Sequence, residues 1–154
     1  MAGETIHEDY MLLAIEQALT GRKDGNPPVG SIIVKGGNII SRGCNRANSD
    51  FDLTAHAELD AIRKVNPLLQ NSQLAGSTLY STGEPCILCA GGIVLAGISR
   101  VVLGGNYHKS VGLVGDYSLE QAFALVGCTG IEVVRGVLLE KCEAMRWAYW
   151  AEQA

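Results

Sequence analysis

The sequence predicts an α/β fold, a three-layer α/β/α sandwich on a mixed five-stranded sheet, and three observations carry that reading. Two β-branched runs, 29–35 and 38–44, are separated only by Gly36-Gly37, which reads as an antiparallel hairpin with a two-residue turn. From 77 to 135, strand-like runs alternate with helical ones, implying right-handed crossovers and at least partly parallel pairing. The segment 86–96 (CILCAGGIVLA) is apolar all round, so it reads as a helix covered by the sheet on one side and by something else on the other. A subunit partner is the simplest cover, and a homodimer the simplest assembly.

Each element has a local signal. Ile6, Tyr10, Leu13, Ala14 and Ala18 fall at helical spacing, predicting an amphipathic helix that ends before Gly25 and is broken at Asn26-Pro27-Pro28. After the hairpin, a polar loop over 45–54 leads into a helix from about His56 to Val65, stopped near Pro67. Ser77–Thr82 reads as a strand and Gly83-Glu84-Pro85 as a turn, with Pro85 at the start of the helix 86–96. Ser99–Leu103 is a further strand, 118–126 a helix, Gly130–Arg135 a strand and Leu138–Trp150 a closing helix. No repeat, low-complexity tract or linker interrupts 1–154, which reads as a single domain.

Composition narrows the function classes. With 47% apolar and 18% charged residues the chain is globular rather than disordered. Twelve Lys+Arg against 16 Asp+Glu leave a net charge of −4, which argues against nucleic acid as the main partner. The N-terminus has no basic n-region, and no apolar run approaches the roughly 20 residues that span a bilayer, so a cytoplasmic location and no membrane partner are expected. A reducing compartment disfavours disulfides, and the five cysteines include one close pair, Cys86 and Cys89.

That pair lies in Glu84-Pro-Cys-Ile-Leu-Cys89, and Thr54-Ala-His-Ala-Glu58 opens the preceding helix. Together they offer one imidazole, His56, and two thiolates, the ligand set of a catalytic zinc whose fourth tetrahedral position stays open to water. A helix N-terminus favours thiolates through its partial positive charge. Glu58 stands two residues from His56, off the ligand's face, where it can shuttle protons instead of coordinating. Zinc lowers the pKa of a bound water to about 7 from near 16, which suits attack on an sp² carbon bearing an exocyclic amine. A structural zinc would close its shell with a fourth Cys or His. Cys44 is the one cysteine to weigh for that place, although a core thiol fits it as well, and Cys128 and Cys142 read as packing residues.

The two motifs match H-x-E…P-C-x-x-C, the signature of zinc nucleobase deaminases. The chain resembles the cytidine deaminase superfamily, in its compact group of bacterial guanine deaminases, yeast-type cytosine deaminase and tRNA adenosine deaminases. The resemblance also runs through Pro28-Val29-Gly30, Asn45, Thr78-Leu79-Tyr80 and Arg100-Val101-Val102. It implies one zinc per chain, a substrate-ring contact from Asn45, contacts around Glu84, and His108 at the pocket mouth. It further implies that a C-terminal aromatic such as Trp150 covers the pocket, with Glu152 a candidate for the C-terminal acid of some members. The expected activity is replacement of an exocyclic amine of a small amino-heterocycle by oxygen, with ammonia released. The expected substrate is a free base of the cytosine or guanine type, or a related nucleoside or triazine. A tRNA-specific adenosine deaminase is the alternative, disfavoured by the acidic balance and the lack of a basic C-terminal tail. A non-catalytic zinc-stabilised domain is a further alternative, for which Glu58 would have no use.

Overall fold

The hairpin is the first half of the sheet. In the computed structural model, which describes residues 2–65, 74–110 (backbone alone at 110), 112 and 115–154, β1 (Gly30–Lys35) pairs antiparallel with β2 (Asn38–Cys44). Gly36 and Gly37 take φ of 58° and 77°, the two positive dihedrals that a type I′ turn requires. β1 also pairs antiparallel with β3 (Thr78–Gly83), and β3, β4 (Arg100–Gly105) and β5 (Glu132–Val134) run parallel, giving the order β2-β1-β3-β4-β5. The sheet is mixed and five-stranded, as the alternation of runs predicts.

Strand alternation sorts the apolar residues into two cores, one per sheet face. Ile33, Leu79, Val101 and Leu103 join the cluster that holds Ala61, Ile93 and Phe123. These last three come from α2 (Ala57–Lys64), α3 (Ile87–Ala96) and α5 (Leu119–Leu125). Ile32, Val34, Tyr80 and Val102 point the other way, to Met11 and Ala14 of α1 (Ala2–Lys23) and Cys142 of α6 (Leu139–Gln153). Helices on both faces of one sheet make the α/β/α sandwich. Among the described residues no helix is long and apolar enough to cross a membrane.

Two contacts seat α2 firmly. At Gly43 an added Cβ would lie 2.4 Å from Ala61 N and 2.5 Å from Ala57 O, so this position on β2 lets the helix backbone come close. Asp60 reaches back to accept a hydrogen bond from the Cys44 N–H at 3.0 Å and pairs with Lys64 at 2.8 Å.

Three local readings are corrected. Helix α3 starts at Ile87 because Cys86 is extended (φ −74°, ψ 177°) and stands as its N-cap, and His56 (φ −78°, ψ 154°) does the same for α2. Residues 107–110, for which the sequence predicts neither strand nor helix, form a single helical turn, α4 (Tyr107–Ser110). The last helix continues past Trp150 to Gln153. The expected stop near Pro67 lies outside the described residues.

Candidate active site

The caps of α2 and α3 meet beside the end of β3. Neither His56 nor Cys86 uses its side chain to cap its own helix, which leaves imidazole and thiol free for each other. His56 Nδ1 lies 3.4 Å from the sulfurs of both Cys86 and Cys89, and the two sulfurs are 3.8 Å apart. A tetrahedral zinc with Zn–S of about 2.3 Å and Zn–N of about 2.05 Å requires S···S of about 3.8 Å and S···N of about 3.6 Å. The donor set therefore fits zinc in both chemistry and spacing. Among the described residues these three form the one such cluster. The His56 ring also hydrogen-bonds the Leu53 backbone, the kind of outer contact that orients an imidazole ligand.

Electrostatics favours the ligating forms unevenly. The hydrogen-bonding contact with Cys89 Sγ, with His56 alongside, holds Cys86 well below the ordinary thiol value against the opposing effect of burial. The same bond and burial push Cys89 up. His56 is raised, chiefly by its contact with Cys86.

Glu58 sits in the first turn of α2 and is buried, at 4% exposure. The Ser81 hydroxyl donates to its Oε1 at 2.7 Å, and the Cys89 thiol lies 3.3 Å from Oε2. The carboxylate thus borders the triad without joining it, as its offset from His56 predicts.

His56, Glu58 and Cys86 line a cavity of about 320 Å³, whose wall also includes Asn45, Glu84, His108 and Trp150. Asn45 is buried, and its Oδ1 accepts from the Ala47 N–H at 2.9 Å. Glu84 lines the cavity while its carboxylate is engaged by Arg135 at 2.8 Å and by the Leu119 N–H at 2.8 Å. His108 Nε2 meets Arg146 Nη2 at 3.1 Å, and burial, with Arg146 beside it, lowers His108 below its ordinary value. Trp150 stacks with Tyr107 at 6.4 Å between centroids and 14° between planes. Glu152 pairs with Arg22 and is no part of the cavity wall. Cys44 is a buried thiol outside the triad, against Gly21, and Cys142 is likewise buried.

Two residues at the site escaped sequence reasoning. Ser81 is fully buried on β3 (Thr-Leu-Tyr-Ser-Thr-Gly), and no local pattern distinguishes it from its polar strand neighbours. Arg146 lines the cavity and follows Cys142 by four residues on the buried stripe of α6, where an arginine breaks an otherwise apolar pattern.

Comparison with known proteins agrees with this geometry. Residues 4–105 match the family described as the cytidine and deoxycytidylate deaminase zinc-binding region. The chain is 36% identical to the tRNA-specific adenosine deaminase of Bacillus subtilis (strain 168), over 96% of this chain and 91% of that protein. A solved structure from a study of A-to-I editing by tRNA:A34 deaminases at the wobble position superposes with a TM-score of 0.74 at 27% identity. That match covers 89% of this chain and 98% of that one. The guanine deaminase of Bacillus subtilis matches at 37% identity and a TM-score of 0.62, over 71% of this chain and 69% of its own. The names among the closely related sequences thus run against the expected free-base substrate and toward its tRNA alternative.

Proposed function

From the premise that this chain belongs to the cytidine and deoxycytidylate deaminase zinc-binding family and is a zinc-dependent hydrolytic deaminase, we propose that its substrate is an adenosine presented by tRNA. The observation that carries this is the likeness to the Bacillus subtilis tRNA-specific adenosine deaminase along nearly the whole of both chains. The cavity volume, about 320 Å³, is at the small end of ligand pockets and suits a single base. Leu53 at its wall is 88% exposed, an apolar surface for bases flanking a flipped one. In this reading 1–154 work as one deaminase domain.

His56, Cys86 and Cys89 would hold the zinc, which supplies a hydroxide-generating Lewis acid near neutral pH. Glu58 takes a proton from the attacking water and delivers it to the ring nitrogen next to the reacting carbon. Once the C–O bond has formed, the same carboxyl carries the proton of the new hydroxyl to the exocyclic amine, the C–N bond breaks, and ammonia departs to leave a ring carbonyl. Ser81 fixes one carboxylate oxygen so that the other faces the reacting centre. The Asn45 NH₂ orients the ring.

A second reading, a small amino-oxo base as substrate, is favoured by one observation: the buried guanidinium of Arg146 in the cavity wall. Zinc-loaded protein incubated with unmodified tRNA, and separately with cytosine, guanine, adenine and adenosine, decides between them. Inosine at an anticodon supports the first reading. Ammonia from a free base with no inosine transfers the function to the second, and neither product from any substrate removes the deaminase assignment.

Assembly follows from α3. Leu95 is 89% and Ile87 63% exposed on an otherwise apolar helix, a face that a second copy of this chain would cover. Light scattering is expected to give a dimer at micromolar concentration, and Leu95→Lys to shift it toward monomer. A monomeric wild type overturns this.

A further inference from the structure

Of the two thiols in the triad, only Cys89 lies within a helix. Cys86 is extended, between the end of β3 at Gly83 and the first helical residue Ile87, so its place beside His56 depends on the turn Gly83-Glu84-Pro85. Pro85 has no N–H with which to tie that turn down. The contacts that hold it come from residues far along the chain. Arg135 grips the Glu84 carboxylate with both prongs of its guanidinium, Nη1 to Oε1 and Nη2 to Oε2, each at 2.8 Å. The Leu119 N–H donates to Oε2 at 2.8 Å, and the Tyr117 hydroxyl donates to the Pro85 carbonyl at 2.6 Å. Arg135 is itself fixed by the Glu120 carboxylate, through Nε at 2.7 Å and again through Nη2.

We infer that Glu84 and Arg135 form a clamp that positions Cys86 as a metal ligand, so that this pair sets how tightly the triad holds zinc. The inference rests on the zinc reading of His56, Cys86 and Cys89. Three features separate the clamp from an ordinary surface ion pair, which contributes little. The guanidinium is bidentate on both of its carboxylates, and such a fork fixes angle as well as distance. The Glu84 side chain is 8% exposed, the most buried carboxylate in any ion pair among the described residues. The partners also stand on separate elements: Arg135 directly follows β5, Leu119 and Glu120 open α5, and Glu84 precedes α3. Leu119 and Phe123 of α5 share one core with Ala90 and Ile93 of α3, so the clamp ties the turn to packed structure. The Cys86 and Cys89 sulfurs stand 3.8 Å apart, the spacing tetrahedral zinc requires, and a site held at that spacing binds with little rearrangement. Without the fork, the turn keeps only the Leu119 and Tyr117 contacts and Cys86 is free to swing away from its partners.

Zinc affinity, measured by competition with a chromophoric chelator on the metal-free protein, tests this apart from catalysis. Arg135→Gln and Glu84→Gln are each expected to raise the zinc Kd roughly 10- to 100-fold. The double variant should bind no more weakly than the worse single one, because both substitutions remove one interaction. Arg135→Lys keeps the charge and loses the fork, and its Kd should fall between those of wild type and Arg135→Gln. Cobalt(II) in place of zinc gives a second readout, since its thiolate charge-transfer absorption should weaken in both single variants as Cys86 leaves its position. A merely structural role would lower the melting temperature of the metal-free protein and leave the zinc Kd and the cobalt spectrum as in wild type, and that result overturns the inference. Losses that multiply in the double variant, as independent effects do, overturn it too. Should Glu84→Gln fail to fold, the two Arg135 variants decide by the same Kd, since that side chain is 35% exposed and its loss leaves the cores intact. Tight zinc in wild type with an unchanged Kd in the variants removes the clamp and leaves the zinc reading standing. Wild type that binds no zinc removes both.

Discussion

Glu58→Gln is expected to lower kcat by roughly 10²- to 10⁴-fold while zinc content and thermal stability stay close to wild type. The expectation comes from the contacts of the carboxylate. Its Oε1 accepts from Ser81 at 2.7 Å, and a glutamine carbonyl can accept the same bond. The second oxygen, beside Cys89 Sγ, is the one replaced by an NH₂, which cannot carry a proton between water and the leaving amine. Glutamine has the same shape, so the 4% exposed site should stay packed. Metal analysis, a melting curve and steady-state ammonia release measure the three quantities on one preparation. A variant with near-normal kcat would remove Glu58 from the proton path.

The second large effect is loss of the metal. Replacing Cys86 and Cys89 together with Ser, or treating wild type with a strong chelator, is expected to remove the zinc and abolish turnover. It should also lower Tm. Zinc present at about a thousand times its Kd stabilises the native state by about 4 kcal/mol. For a chain of this size that is roughly 8–16 °C. The fold itself should survive, because its two cores lie on opposite sheet faces and are built from apolar residues such as Ile33, Leu79, Ile32 and Val102, independent of the triad. The pH dependence has a definite sign. Thiolates and a neutral imidazole are the ligating forms, and His56 is raised in the absence of metal, so protons compete more strongly for it as pH falls. The Tm difference between loaded and stripped protein should therefore shrink between about pH 8 and about pH 5. Zinc that persists in the double Ser variant would mean that the ligands lie elsewhere.

The two predictions share a set of residues that was legible without coordinates. His56, Glu58, Cys86 and Cys89 lie in two five- to six-residue motifs, and both motifs open helices. Short-range rules suffice there, since a helix start, a ligand spacing and an offset of two residues are properties of chain neighbours. The same holds for the hairpin at Gly36-Gly37, for the alternation that separates Ile32 from Ile33, and for the apolar composition of α3.

Substrate contacts were less legible. Asn45 and Trp150 do line the cavity, but they were assigned through resemblance, and no local pattern singles out either. Glu84, in the turn before Cys86, also lines the cavity, and no local pattern shows that its carboxylate is engaged by Arg135, 51 residues away. The substrate itself divides the chain's own character from its relatives. Net charge is a sum over all residues and says little about which base one cavity accepts, which is why the acidic balance pointed away from the tRNA relatives.

By itself the sequence determined the α/β class and the hairpin and singled out the candidate zinc ligands and the neighbouring acid, because each follows from periodicity or spacing within a short segment. Only the tertiary structure decided that Ser81 holds Glu58 from 23 residues away and that Arg146 meets His108 across 38. It alone shows that this arginine lines the cavity and forms no ion pair among the described residues. Those contacts join strand to helix and helix to helix. A buried polar group takes its meaning from whichever groups the packing brings to it, and chain order does not specify them.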